Sequence, residues 1–212
     1  MTRHPVGAYE RLFPQQHIPV ILRLLLQAGK NIRKQTPTDR EDWITTRLHR
    51  RLIRVPSFRD GPLQIHLQPD IVSSDANPEI NTPEGRLDLQ VSCGRGHEVY
   101  FAIEAKRLRV SLPSRFFLGG PEYVKDGMMR FITGQYAPFM QAGAMLGYVY
   151  DGETKNARAD IDQQIQERAE GLKLKEPKRL LPSPILPDQP IDETNHDLDR
   201  RSFTIFHLLL DV

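Results

Sequence analysis

Residues 85–108 constrain the fold of this chain more than any other stretch. They read G-R-L-D-L-Q-V-S, then a short polar break, then V-Y-F-A-I-E-A-K-R-L. Two runs that alternate apolar and polar residues flank Cys93-Gly94-Arg95-Gly96-His97, the pattern of a β-hairpin with a glycine-containing turn. Side chains alternate across a strand. Leu87, Leu89 and Val91 therefore take one face of the first run, and Arg86, Asp88 and Gln90 the other. In the second run Phe101, Ile103 and Ala105 share a face, opposite Ala102, Glu104 and Lys106. Two carboxylates and an ammonium group converge on one side of a two-stranded unit.

Residues two apart on a strand are separated by about 7 Å along it. That spacing suits a divalent cation lying between Asp88 and Glu104, with Lys106 reaching an adjacent water or phosphate. A surface ion pair between Glu104 and Lys106 on a solvent-exposed face is the other reading of the same pattern. Two features favour the first. Glu104 and Lys106 are embedded in A-I-E-A-K, and charge buried among apolar neighbours must be paired or metal-bound. The Gly85-Arg86 entry also lets backbone and ligand come close beside Asp88.

The order of an acidic residue on a helix, then G-R-L-D-L, then I-E-A-K-R-L resembles the PD-(D/E)XK nuclease superfamily across residues 39–150. The E-A-K triplet after an apolar strand is the more specific part. Fifteen residues separate Asp88 from Glu104, as in members with a compact hairpin. Leu87 stands where the motif's proline would be, a position often substituted in the superfamily. The resemblance implies a restriction-endonuclease-like α/β fold, a central mixed sheet flanked by helices. It implies a Mg²⁺-dependent DNA endonuclease, with Mn²⁺ as a substitute, that leaves a 5′-phosphate and serves prokaryotic defence or DNA processing. Asp88 and Glu104 would ligate the metal directly, with the Ala105 carbonyl as a third ligand. Lys106 would orient or deprotonate the attacking water, or offset charge on the phosphate.

By the same resemblance, Glu41 on a preceding helix would hold a metal-bound water. Its plainer reading is a negative charge complementing the helix dipole. Glu41 shares a helical side with Thr45 and Leu48, and Asp42 is the fallback. Two rivals stand beside the nuclease: a non-cleaving member of the same fold that binds nucleic acid or protein, and an unrelated α/β interaction module. No G-x-S-x-G, H-E-x-x-H, P-loop or dinucleotide fingerprint competes.

The remaining chain is read in order. Residues 17–35 predict a mostly buried helix ending near Gly29 or Lys34. A second helix starts at Thr38 or Asp39, carries Trp43, Ile44, Leu48 and Leu52 as its apolar stripe, and ends by Pro56. Arg47, His49, Arg50, Arg51 and Arg54 crowd its second half, as a solvated face or as phosphate contacts. Residues 63–72 alternate as a strand. Asp75, Glu79 and Glu84 follow in a turn-rich stretch, and Glu79 or Glu84 could supplement the metal site. Arg107 and Arg109, candidate DNA contacts, lead into a loop over 110–121 with Phe116 and Phe117 beside the expected active edge, a loop that reads as DNA contact or as plain packing. A helix over 122–140 places Arg130 and Gln135 either toward substrate phosphate or on the surface. A strand over 143–150, a helix over 153–173, a Pro-rich linker or extended loop over 174–200 and a final strand over 201–212 complete the chain. His207 in that strand reads as a hydrogen-bonded core or edge residue.

A chain of 212 residues fits one nuclease-like domain, 1–212, with 1–35 as an N-terminal helical arm. The single cysteine, Cys93, excludes an intrachain disulfide and a cysteine-rich zinc site and fits a reducing cytoplasm. No signal peptide is expected, and the apolar run 18–28, broken by Arg23, is shorter than the about 20 residues a bilayer requires. No membrane partner is expected. The net charge of +2 is uninformative, so local clustering carries the argument for DNA. A compact domain that cuts one strand would cut both as a homodimer, with the apolar helix from residue 17 as the candidate interface.

Overall fold

The structure is a computed structural model and describes residues 13–71, 83, 85–94, 99–198 and 201–212. A seven-stranded mixed sheet forms its centre, with helices on both faces. Strands β1 (Leu63–Leu67), β4 (Leu89–Cys93) and β5 (Tyr100–Leu108) form an antiparallel meander at one end. β5 pairs in parallel with β8 (Ala142–Val149), and β8 in parallel with β11 (Arg201–Asp211). Antiparallel β10 (Ile191–Leu198) and the short β9 (Leu181–Pro182) close the order β1-β4-β5-β8-β11-β10-β9. Two small ribbons stand apart: β2 (Asp70–Ile71) with β3 (Gly85–Arg86), and β6 (Val110–Ser111) with β7 (Phe116–Phe117).

The parallel ladder sets which side chains share a face. Glu104, Met145 and His207 are registered neighbours across β5, β8 and β11, and Asp192 of β10 is opposite His207. These four lie in a row on one face of the sheet. On the opposite face sit α1 (Ile18–Gly29) and α2 (Glu41–Leu52). Gly29 abuts Leu210 there, and Thr45 hydrogen-bonds the Tyr148 hydroxyl at 3.0 Å. The face with Glu104 is covered by a helix of mixed type: a turn α4 (Gly120–Glu122), a π-helical segment Tyr123–Met128, and α5 (Met129–Ile132). A Cβ at Gly127 would come within 2.4 Å of Met145 Cε and 3.7 Å of Lys106 Cγ. Glycine is what lets the π segment lie this close to the sheet. Helix α6 (Thr154–Glu167) packs beside it, anchored by Arg158 to Asp192 at 2.7 and 2.8 Å.

Several expectations are corrected. Residues 174–200 are not simply a linker: they supply β9 and β10, and β10 bonds along most of β11. The polar composition of I-D-E-T-N-H-D-L hides the strand in the sequence, because Thr194 and His196 are polar yet buried. The stretch 63–72 is two strands in different sheets, divided at Gln68, whose φ is 49°. The loop at 110–121 contains the β6–β7 ribbon. The helix expected over 122–140 ends by Ile132, and Pro56 opens a short helix, α3 (Pro56–Arg59), rather than closing α2. The apolar face of α1 (Ile21, Leu22, Leu25, Leu26) is buried in its own chain against α2 and β11. It is a core helix, so these four side chains are not available to a dimer interface. Among the described residues, no helix is long and apolar enough to cross a membrane.

Candidate active site

β5 is buried along both faces from Tyr100 to Ala105, so Glu104 enters the interior with its strand and is 1% exposed. Asp88 sits in a bend just before β4. The last register pair between β4 and β5 is Leu89 with Ile103, so Ala105 has no backbone partner on that side. Asp88 supplies one: its Oδ2 accepts the Ala105 N–H at 2.7 Å. The bend is held from β1–β2 by Gln68 N–H to the Asp88 carbonyl (3.0 Å) and Leu87 N–H to the Pro69 carbonyl (3.2 Å).

Lys106 donates to Glu104 Oε1 at 2.5 Å and to the Ala105 carbonyl at 2.8 Å. Glu41, at the first position of α2, accepts the Arg107 N–H at 2.8 Å, and its other oxygen lies 3.7 Å from Lys106 Nζ. The three carboxylates and the ammonium group singled out by sequence thus share one location. Arg130 adds a second cation, 3.1 Å from Glu104 Oε1. Its Nη1 also donates to the buried Tyr136 hydroxyl, which donates in turn to the Arg86 carbonyl at 2.7 Å. Tyr136 therefore braces the segment that carries Asp88 against the group that holds Glu104. Nothing local in the sequence marks Tyr136 for this role; its trace is the glycine at 85, where a Cβ would lie 3.2 Å from the Tyr136 ring.

One atom is left over. Glu104 Oε2 is fully buried and, among the described residues, receives no N–H or hydroxyl donor, so its hydrogen bond with Asp88 needs a proton shared by the two carboxyls. A buried acceptor without a donor is costly and rare in folded proteins. The protonation balance reflects this. Burial, then the Asp88 charge, pushes the Glu104 carboxyl up to about 8, against the opposing pull of Lys106 and Arg130. Burial also raises Asp88 and Glu41, with Lys106 opposing in both cases. Burial would lower Lys106, but Glu104, Glu41 and Asp88 outweigh it and hold the ammonium above its ordinary value. Perturbed carboxylates clustered with a cation are common at functional sites.

Other expected residues fall elsewhere. Asp42 pairs with Arg40 at the surface. Arg47 is tied to buried Asp39 at 2.7 Å, and Arg107 donates to the Asp39 carbonyl at 3.2 Å. Burial would raise Asp39, but hydrogen bonds from Gln35, Arg47 and Thr36 hold it well below the carboxylate range, so this knot is structural. Arg109 bridges Asp151 and Asp160 at 2.8 and 2.9 Å and covers the Phe116 ring. Gln135 lies against Gly85, 2.9 Å from where a Cβ would stand. Arg50 and Arg51 are exposed on α2. His207 is buried and hydrogen-bonded on both ring nitrogens. Glu79, Glu84 and Asp75 lie outside the described residues.

Among the described residues, no group of three or more His, Cys, Asp or Glu side chains is gathered so as to hold a metal by itself. The donors at the site are two carboxylates and one carbonyl. No family model, curated protein or solved structure matches the chain.

Proposed function

We propose that the protein is a metal-dependent DNA endonuclease of the PD-(D/E)XK type, with the restriction-endonuclease-like arrangement of its sheet, acting in prokaryotic defence or DNA processing. The observation that carries this reading is Glu104 Oε2, buried beside Asp88 and, among the described residues, without an N–H or hydroxyl donor, while Lys106 holds the carboxylate's other oxygen. Hard oxygen donors of this number suit Mg²⁺ or Mn²⁺, which keep several waters and take one or two protein carboxylates. Asp88 Oδ1, Glu104 Oε2 and the Ala105 carbonyl would hold the ion. When bound, it would polarise the phosphate and lower the pKa of a bound water.

The side chains divide the remaining work. Asp88 keeps its Oδ2 on the Ala105 N–H, which fixes its rotamer and leaves Oδ1 for the ion. Glu41 is fixed in the same way by the Arg107 N–H, leaving its other oxygen to hold a water beside Lys106. Lys106 orients the attacking water and faces the phosphate. Three nearby carboxylates keep it charged, whereas a proton acceptor needs a lowered pKa. Arg130 offsets charge from the opposite side. The test is incubation of supercoiled plasmid with Mg²⁺. The native protein nicks or linearises it, EDTA stops the reaction, and Lys106→Ala and Asp88→Ala abolish it while the folded circular-dichroism spectrum is retained. Duplex binding without cleavage in either Mg²⁺ or Mn²⁺ would make the protein a non-cleaving member of the fold and overturn the reading.

A further inference from the structure

We infer that the junction between α1 and α2 is a track for the backbone of duplex DNA, separate from the carboxylate site. This rests on the endonuclease reading for the identity of the polyanion. Residues 30–54 carry eight Lys and Arg against three Asp and Glu, a net charge of +5 in a chain whose total is +2, so the remainder is net −3. The three acids do not neutralise the patch. Asp39 is buried under Arg47, Glu41 faces the active site, and Asp42 is taken by Arg40. The cations form one surface. Arg47 and Arg51 reach from α2 to the carbonyls of Arg33 and Asn31 at 3.4 and 2.9 Å, and Arg33 bonds the Lys30 carbonyl at 3.1 Å.

Lys30, Arg33, Arg50, Arg51 and Arg54 are exposed, and among the described residues none is in a salt bridge. The helix dipole accounts for cations in the last turn of α2. The α1 dipole likewise accounts for Lys30 at its C-cap, but not for Arg33, three residues beyond. Arg47, Arg50, Arg51 and Arg54 are three and four residues apart, where like charges repel. A row of phosphates relieves that repulsion. Glu41 at the start of α2 marks the site, and Arg51 in its last turn lies about 15 Å further along the helix axis at 1.5 Å per residue, with Arg54 in the turn just beyond. A duplex rising 3.4 Å per base pair would meet Arg51 about four base pairs from the scissile bond. Contacts of this kind read charge, not sequence.

The test is binding of a fluorescein-labelled 30-base-pair duplex, without divalent metal, from 50 to 200 mM KCl. The native protein is compared with a Lys30→Gln/Arg50→Gln/Arg54→Gln variant, whose three side chains make no hydrogen bond within the described residues. Each lost phosphate contact lowers the salt slope by about 0.9, so the variant's slope falls by about 2 to 3. Its affinity drops at least tenfold at 50 mM KCl, equally for unrelated duplex sequences. An unchanged slope and affinity would overturn the track, even if the native protein cuts plasmid. Native protein that binds anionic phosphatidylglycerol vesicles but not the duplex would also overturn it. A lowered slope in a protein that cuts nothing leaves the track standing and removes only the nuclease.

Discussion

Two polar clusters are buried on the same face of one sheet, under the same π-helical segment, with Met145 between them. One contains His207, Thr194, His196 and Tyr123; the other contains Asp88, Glu104 and Lys106. The histidine cluster closes completely. His196 Nδ1 lies 2.7 Å from the Leu172 carbonyl and must donate to it, so its Nε2 accepts from Thr194, at 2.8 Å. Thr194 then accepts from His207 Nε2 at 2.9 Å, and His207 Nδ1 accepts from the Tyr123 hydroxyl at 3.0 Å. A single direction of donation satisfies every atom with both rings neutral. The carboxylate cluster closes only through something shared between two acids: among the described residues Glu104 Oε2 receives no N–H or hydroxyl donor, and Asp88 hydrogen-bonds Glu104 through a proton held between their carboxyls. The first cluster holds the sheet together. In the second, a cation can take the place of that shared proton.

The largest effect that separates the two clusters is on activity. Lys106→Ala or Asp88→Ala lowers plasmid cleavage by about 10² to 10⁴-fold in a gel assay. Thr194→Val leaves cleavage per folded molecule unchanged. Equal loss from Thr194→Val would erase the distinction.

Stability shows the reverse. Thr194→Val strands the facing nitrogens of two buried histidines and costs about 2 to 4 kcal/mol in urea denaturation. Lys106→Ala in metal-free protein is compared with it directly.

The pH dependence differs in sign. Glu104 is raised to about 8 in the folded protein, so it binds its proton more tightly folded than unfolded. Metal-free stability is therefore full below its ordinary range and falls as pH rises toward 8, by on the order of 2 kcal/mol between pH 6 and 8. Burial lowers His207 to about 3 and His196 to about 4. Their contribution is full above 6.5 and is lost as pH falls toward those values. Thermal melts in EDTA should peak at mildly acidic pH. Glu104→Gln removes the alkaline decline only, and Mg²⁺ stabilises the native protein more at pH 8 than at pH 6.

The smallest effect belongs to Tyr136. Its hydroxyl reaches no reacting group but aligns Arg130 and the Arg86 carbonyl. Tyr136→Phe weakens Mn²⁺ binding by about tenfold in calorimetry while the melt is retained.

The E-A-K strand and its hairpin partner were legible because alternation at period two is a local property. Glu104 and Lys106 followed directly from it; Asp88 has the expected parity but lies in a bend between β3 and β4, not on the hairpin strand, and its bond to the Ala105 N–H holds it there. Glu41 was reached through a resemblance, since nothing local shows which first-turn acid will meet a distant strand. The second half of the sheet was illegible for the opposite reason. In β10, buried Thr194 and His196 carry the pattern of an exposed loop, because their partners lie on β11 and in the turn at Leu172. The arginine run on α2 could not be divided by sequence. Arg47 serves the Asp39 knot, whereas Arg50 and Arg54 face outward, and only the α1–α2 packing separates them.

The most direct measurement is an anomalous difference map from crystals soaked in Mn²⁺. The account predicts a peak bonded to Asp88 and to Glu104 Oε2, lost in Glu104→Gln crystals. A fully soaked crystal with no peak there, or with one on other residues, would contradict it.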